Sequence, residues 1–396
     1  MRKKIHIEHK QKIALVASGG AIKAACFHIG VCIALEKKGF YFLGGTKKES
    51  LTPPERKLPI QTYVGSSAGS VIVALLASGY TLRDIVASFA NPKKANKKLP
   101  PLGFRDLFHI ALPNFKRLLH LFQIRKKGVA TGTLESLIKN VFSFGGFFTT
   151  VGIEQYMRLA LPTNCFQNLS SDLFVVASQL DYSNKSIFCK YEHFKARPEH
   201  HAIYDGSVKI SQACAASTAL PPIYRPYLLK SRQGNLYYFD GEIRETLSTH
   251  VAKDMKCDLV LASYTHQPYH YTPEIGSLAD YGISYVMIQA IYQLIEQKIH
   301  TSKRLWQNKI IALDTVNQFF KDHGLPEEKR KLLCEELEKK LQFNKDIHYI
   351  FIHPLPEDYA LFLSDHFSLS ESYMIKMVQS GFKSAIYHLR NYEFHI

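Results

Sequence analysis

The stretch Ile60-Gln61-Thr62-Tyr63-Val64-Gly65-Ser66-Ser67-Ala68-Gly69-Ser70-Val71-Ile72-Val73-Ala74-Leu75-Leu76 decides the reading of this chain. A β-prone run enters a Gly-x-Ser-x-Gly turn, and an apolar helical run leaves it. That order is a nucleophile elbow: a sharp turn lifts the serine oxygen above a sheet and aims the next helix's positive end at it. The pattern alone also fits a tight βα turn with idle serines, so partner residues must decide whether Ser67 is a nucleophile.

Upstream, Lys12 to Ala17 predicts a buried first strand, and Ala25 to Lys37 a helix. Between them lies Ser18-Gly19-Gly20-Ala21-Ile22-Lys23-Ala24. A glycine turn opening a helix exposes N–H groups and suits anions. It reads three ways: a structural turn, an oxyanion hole, or a dinucleotide loop, although G-x-G-x-x-G is not satisfied. Downstream, Leu236-Tyr237-Tyr238-Phe239-Asp240-Gly241-Glu242 predicts a strand ending in Asp-Gly. Asp240 there is either a turn cap or the acid that a serine nucleophile needs.

The 396 residues include 46% hydrophobic and 21% charged, a globular balance with material for a large core. A net charge of +16 favours anionic surfaces, either phospholipid headgroups or nucleic acid. No zinc-finger spacing or RNP-type aromatic block supports nucleic acid. The seven cysteines are scattered and form no C-x-x-C, which predicts reduced core thiols. No H-E-x-x-H or D-x-D-x-D-G occurs, so no metal and no cofactor are expected. The basic start followed by Ile13 to Ala17 mimics a signal peptide, but two glycines and Lys23 interrupt it. The expected location is therefore cytoplasmic and peripheral to a membrane, or outside the cell by a route without a cleaved signal peptide.

Residues 91–127 hold ten Lys and Arg and one acid, Asp106, interleaved with Leu102, Phe104, Leu107, Phe108 and Ile110. This basic insertion reads equally as a monotopic membrane contact or as a helical hairpin packed on the core. Strand-like runs near 13–17, 60–64, 173–180, 236–239, 258–263 and 348–352 alternate with helical stretches, which predicts an α/β core with helices on both faces. Val286 to Trp306 predicts a long helix, 326–341 an exposed one, and Ser368 or Ser370 starts a helix towards Leu389 that Gly381 interrupts. The expected organisation is one domain over 1–396: a core of about 12–265, the insertion, and a C-terminal helical extension of about 280–396. A small helical subdomain over 303–346 is the alternative.

Together these blocks resemble the patatin-like phospholipases. The glycine loop resembles that family's G-G-G-x-R/K-G, and Gly65 to Gly69 its G-x-S-x-G. Ala216-Ser217-Thr218-Ala219-Leu220-Pro221-Pro222-Ile223-Tyr224-Arg225-Pro226 resembles its small-residue helix and proline turn, and Phe239-Asp240-Gly241 its D-G-G/A block. Leu173 to Asp181 looks like its central strand, and Ser380 to Ala385 like the start of its closing helix. The resemblance implies a three-layer α/β/α core around a mainly parallel sheet with helical insertions. It implies a lipid acyl hydrolase of phospholipase A type, with Ser67 as nucleophile, Asp240 as base, and no catalytic histidine. The N–H groups of Gly19, Gly20 and Ala21 would form the oxyanion hole, with Lys23 fixing that loop. Phospholipid or another lipid ester would be the substrate.

Three residues depart from the family pattern: Ala21 and Ala24 replace glycines, and Glu242 stands where glycine or alanine is usual. Alanine still offers its N–H, unless φ there is positive. Glu242, two residues from Asp240, would raise the Asp240 pKa if the two were close. A histidine triad through His250 or His266 is the runner-up mechanism, and His28 reads as packing or support. An inactive basic protein that binds lipid or nucleic acid is the alternative function. Oligomeric state is left open.

Overall fold

The structure, a computed structural model, describes every residue outside 1–3, 49–53, 91–98, 111–147, 183, 192–201, 222, 232–233, 245, 342, 359, 364–367 and 396. Its strands are β1 (Ile5–Ile7), β2 (Ile13–Ala17), β3 (Phe40–Phe42), β4 (Leu58–Ser66), β5 (His109–Ile110), β6 (Phe148–Thr149) and β7 (Asp172–Gln179). They continue with β8 (Lys185–Phe188), β9 (Ala202–Asp205), β10 (Tyr227–Ser231), β11 (Gly234–Asp240), β12 (Leu259–Ser263), β13 (His348–Ile352) and β14 (Tyr392–Phe394). The helices are α1 (Ala21–Lys37), α2 (Ala68–Ala77), α3 (Leu82–Ala90), α4 (Phe104–Leu107), α5 (Val151–Ala160) and α6 (Ile210–Ser217). After them come α7 (Gly241–Arg244), α8 (Thr249–Asp254), α9 (Ile283–Asp322), α10 (Glu327–Lys340), α11 (Ala360–Leu363) and α12 (Glu371–Leu389).

β2 reads Ile-Ala-Leu-Val-Ala and is buried at every position. A continuous apolar strand of this kind belongs in a sheet covered on both faces. It lies between β4 and β12, parallel to both, in a main sheet ordered β10-β11-β7-β4-β2-β12-β13. Ala17 faces Gly65 on one side and Ser263 on the other, so these three strands end on one line. Ligand sites of parallel α/β sheets form at this edge.

The two faces carry separate cores. Leu15, Leu261 and Ile350 pack with α1, α2, α6 and α12. Ala14, Val16, Val260 and Ala262 pack with α8 and with Ile295 and Ile299 of α9. Each buried Leu or Ile contributes about 1.5–3 kcal/mol. The three-layer α/β/α fold expected from the sequence is the fold present, with β8, β10 and β11 adding antiparallel edges. The C-terminal region adds a sheet strand, β13, and a core helix, α12.

Two expectations about the late helices change. The helix predicted over 286–306 runs from Ile283 to Asp322. Gly381 does not interrupt α12; it lets α12 touch α1. A Cβ on Gly381 would lie 2.0 Å from the Phe27 carbonyl oxygen, and one on Gly30 would lie 2.0 Å from that of Val378. The two helices therefore meet backbone to backbone through facing glycines.

Within the basic insertion, Leu99, Leu102 and Leu107 are buried while Phe104 and Ile110 are exposed. Its remaining parts, 91–98 and 111–127, lie outside the described residues, as does Pro222 of the proline turn. Leu313, Cys334 and Phe343 form a small core of their own between α9, α10 and the following loop. All seven cysteines are free thiols. Among the described residues no helix is long and apolar enough to cross a membrane.

Candidate active site

Two strand ends meet head to head on β7. β4 runs parallel to β7 and ends with Ser66 opposite Val176. β11 runs antiparallel to β7 and ends with Asp240 opposite Ala177. Adjacent residues of one strand thus bring the Ser67 turn and the Asp240 carboxylate together. The Ser67 side chain lies near enough to that carboxylate to hold its pKa down.

Ser67 occupies φ 50°, ψ −129°, a conformation that costs a non-glycine residue about 1–3 kcal/mol. Neighbouring hydrogen bonds hold it. The Ser67 N–H donates to Ser217 Oγ at 2.8 Å, and Ser217 Oγ donates to the Val176 carbonyl at 2.6 Å. Ser70 Oγ donates to the Ser67 carbonyl at 2.6 Å. Ser217 thus ties the elbow to the sheet. In the sequence it was one small residue in a run of small residues.

Asp240 is 1% exposed. It accepts the Glu242 N–H at 2.9 Å. Burial pushes its carboxyl up to about 6, while the Ser67 and Glu242 hydrogen bonds pull it back down. Its partners among the described residues include no histidine. His266 instead packs edge-on against Tyr292 at 5.3 Å. His28 bridges Ser263 Oγ, at 2.7 Å from Nδ1, and the Ser18 carbonyl, at 2.9 Å from Nε2, bracing the start of the glycine loop.

The glycine loop lies against the serine. A Cβ on Gly19 would come within 2.7 Å of Ser67 Cβ, so only glycine fits there. Ala21 opens α1 at φ 56°, a left-handed conformation. Here alanine stands where the backbone favours glycine. As the first residues of a helix start, Gly20 and Ala21 have no intrahelical acceptor for their N–H groups. Lys23 points away from Ser67: its buried amine donates to Tyr292 Oη and the Leu361 carbonyl, both at 3.3 Å. It anchors α1 to the C-terminal region behind the loop.

Glu242 departs most from expectation. It follows the strand end inside α7, and its Oε1 accepts from the Gly19 N–H at 3.0 Å and from Ser66 Oγ. Burial pushes its carboxyl up to about 8, with Asp240 adding to the rise. For Asp240 itself burial is the leading cause. The Gly19 N–H, expected in the oxyanion hole, is therefore already engaged.

Residues 15–253 match the family described as patatin-like phospholipase. This chain belongs to the patatin-like phospholipase family. The match takes in the glycine loop, the elbow, the proline turn and Asp240, and the family is one of lipid acyl hydrolases. No curated protein matches the chain. The crystal structure of VipD from Legionella pneumophila aligns with 96% of this chain and 67% of its own, at 12% identity and a TM-score of 0.35, a likeness too loose to carry an argument. In this patatin-like chain a narrow cleft, about 60 Å³ and open to solvent, lies beside Ser67. Apolar side chains line it, including Ile22, Val71, Phe89, Leu107 and Ile153, with Tyr224 from the proline turn.

Proposed function

We propose that the protein is a phospholipase A-type enzyme that cleaves fatty-acyl esters through a Ser67–Asp240 dyad. The observation that carries this reading is that adjacent residues of β7, Val176 and Ala177, set the ends of β4 and β11, and so Ser67 and Asp240, side by side at the mouth of an apolar cleft. Asp240 takes the hydroxyl proton as Ser67 Oγ bonds to the ester carbon. The carbonyl oxygen becomes an oxyanion facing the N–H groups of Gly20 and Ala21, each such donor contributing about 3–4 kcal/mol. Collapse breaks the ester bond, and the lysolipid alcohol leaves with the proton from Asp240. Water then attacks the acyl-enzyme, giving its proton to Asp240, and the fatty acid departs as Ser67 regains its proton. Burial makes Asp240 a better base than a carboxylate in water.

The acyl chain lies in the cleft lined by Val71, Phe89 and Ile153. α4 and α5, which line that cleft, also expose Phe104 and Leu159, and the following β5 exposes Ile110. Apolar side chains beside a basic insertion suit docking on an anionic membrane surface. The free thiols fit a reducing compartment, which favours a cytoplasmic, peripheral enzyme.

Mass spectrometry of products from mixed phospholipid vesicles tests the reading. Wild type releases fatty acid and lysolipid; Ser67→Ala and Asp240→Asn release neither. Equal release by all three proteins would sink the dyad.

A further inference from the structure

A second cavity lies away from the serine, where α8, α9, β13 and the loop after α10 meet. It is open to solvent, has a volume of about 290 Å³, and is lined by Lys253, Lys303, Lys309, His250, Trp306 and Phe351, among others. Its aromatic wall is ordered: Trp306 stands edge-on to Tyr349 at 5.7 Å and tilts against Phe343 at 6.3 Å. Lys303 lies over the Phe351 ring at 4.3 Å and donates to Tyr264 Oη at 3.2 Å. Lys309 donates to the Leu341 carbonyl at 2.8 Å.

Donors here outnumber acceptors. Neither Lys303 nor Lys309 pairs with a carboxylate among the described residues, and no acidic side chain lines the cavity. The Trp306 indole N–H is buried with no acceptor among the described residues. Burial also pulls the Lys303 ammonium below its ordinary range, the situation an incoming anion reverses.

We propose that this cavity binds a phosphate-bearing anion, with Lys303 and Lys309 on its oxygens and Trp306 in its wall. Phosphate suits the set because its several oxygens accept from donors on different sides at once. The phosphate can come from a membrane lipid headgroup or from a soluble phosphate ester. The site does not depend on the role assigned to Ser67.

Trp306 is the chain's single tryptophan, so its fluorescence reports this cavity directly. The probes are glycerol 3-phosphate, inorganic pyrophosphate, and phosphatidylcholine vesicles with and without phosphatidic acid. A salt-sensitive emission change with the soluble phosphates assigns a soluble ligand. A change with phosphatidic acid vesicles alone assigns a lipid headgroup. In either case Lys303→Gln with Lys309→Gln weakens binding about tenfold or more. The exposed pair Lys329→Gln with Lys331→Gln, equal in charge lost, leaves it unchanged. Melting curves check that the variants fold; if the double variant melts early, Lys309→Gln alone carries the same comparison. No emission change with any probe, or a change that survives the loss of both cavity lysines, overturns the proposal.

Discussion

The N–H of Gly19 is held by Oε1 of Glu242 at 3.0 Å, across 223 residues of sequence. The same oxygen takes the Ser66 hydroxyl, and the other carboxyl oxygen, Oε2, is buried without a partner among the described residues. One side chain thus links the glycine loop, the elbow and the strand end that carries Asp240. The folded protein keeps the Glu242 proton to about pH 8, whereas the unfolded chain loses it near its ordinary 4.5. Between those values the folded state binds more protons, so stability falls as pH rises. Glu242→Gln keeps the acceptor and removes this term. Its melting temperature should exceed that of wild type by a margin that widens from about pH 5 to about pH 8 and then stays constant. A pH-independent margin would place the proton elsewhere.

As the proposed base, Asp240 should set the acid limb of activity. A base must be unprotonated, and this carboxyl is pushed up to about 6. kcat/KM should therefore rise about tenfold per pH unit below 6 and level off above it. Asp240→Asn should lower kcat about a thousandfold or more while melting no earlier than wild type at neutral pH, since it relieves a buried charge. A stopped assay with a short-chain soluble ester measures the profile free of interfacial effects.

Ala21 carries strain that glycine would not. At φ 56° an L-residue is disfavoured by about 1–2 kcal/mol, partly offset by the backbone entropy that glycine loses on folding. Ala21→Gly should stabilise the protein by about 0.5–1 kcal/mol in urea denaturation and retain activity. Ala21→Val, β-branched in the same conformation, should destabilise it.

Gly30 and Gly381 make the contact between α1 and α12 possible. Gly30→Ala places a methyl group 2.0 Å from the Val378 carbonyl oxygen, which no side-chain adjustment relieves. The helices must separate, at a cost of about 3 kcal/mol or more. Chemical denaturation should show this loss, and esterase activity should fall with it, because α1 begins at the glycine loop.

The elbow, β2 and the Asp-Gly strand end were legible because each couples a strong local signal to a distinctive period or turn. The Ser67–Asp240 pairing rests on three strands whose order no local pattern records. Glu242 stands out in the sequence as a departure two residues from Asp240, but nothing there shows that it reaches Gly19 and Ser66. α7 turns it towards Gly19. Gly381 was misread because a glycine that breaks a helix and one that admits a neighbouring helix look alike in sequence. β8, β9 and β10 were missed: they are short, and they pair at or near the sheet edge.

The α1–α12 contact has a consequence for the order of assembly. The glycine loop lies within the first tenth of the chain, yet the helix it opens rests on residues near 380. During synthesis those residues emerge after the elbow and Asp240. The nascent chain therefore holds Ser67 and Asp240 before it holds the support of its glycine loop. A patatin-like chain built this way reaches working order only after α12 has been made.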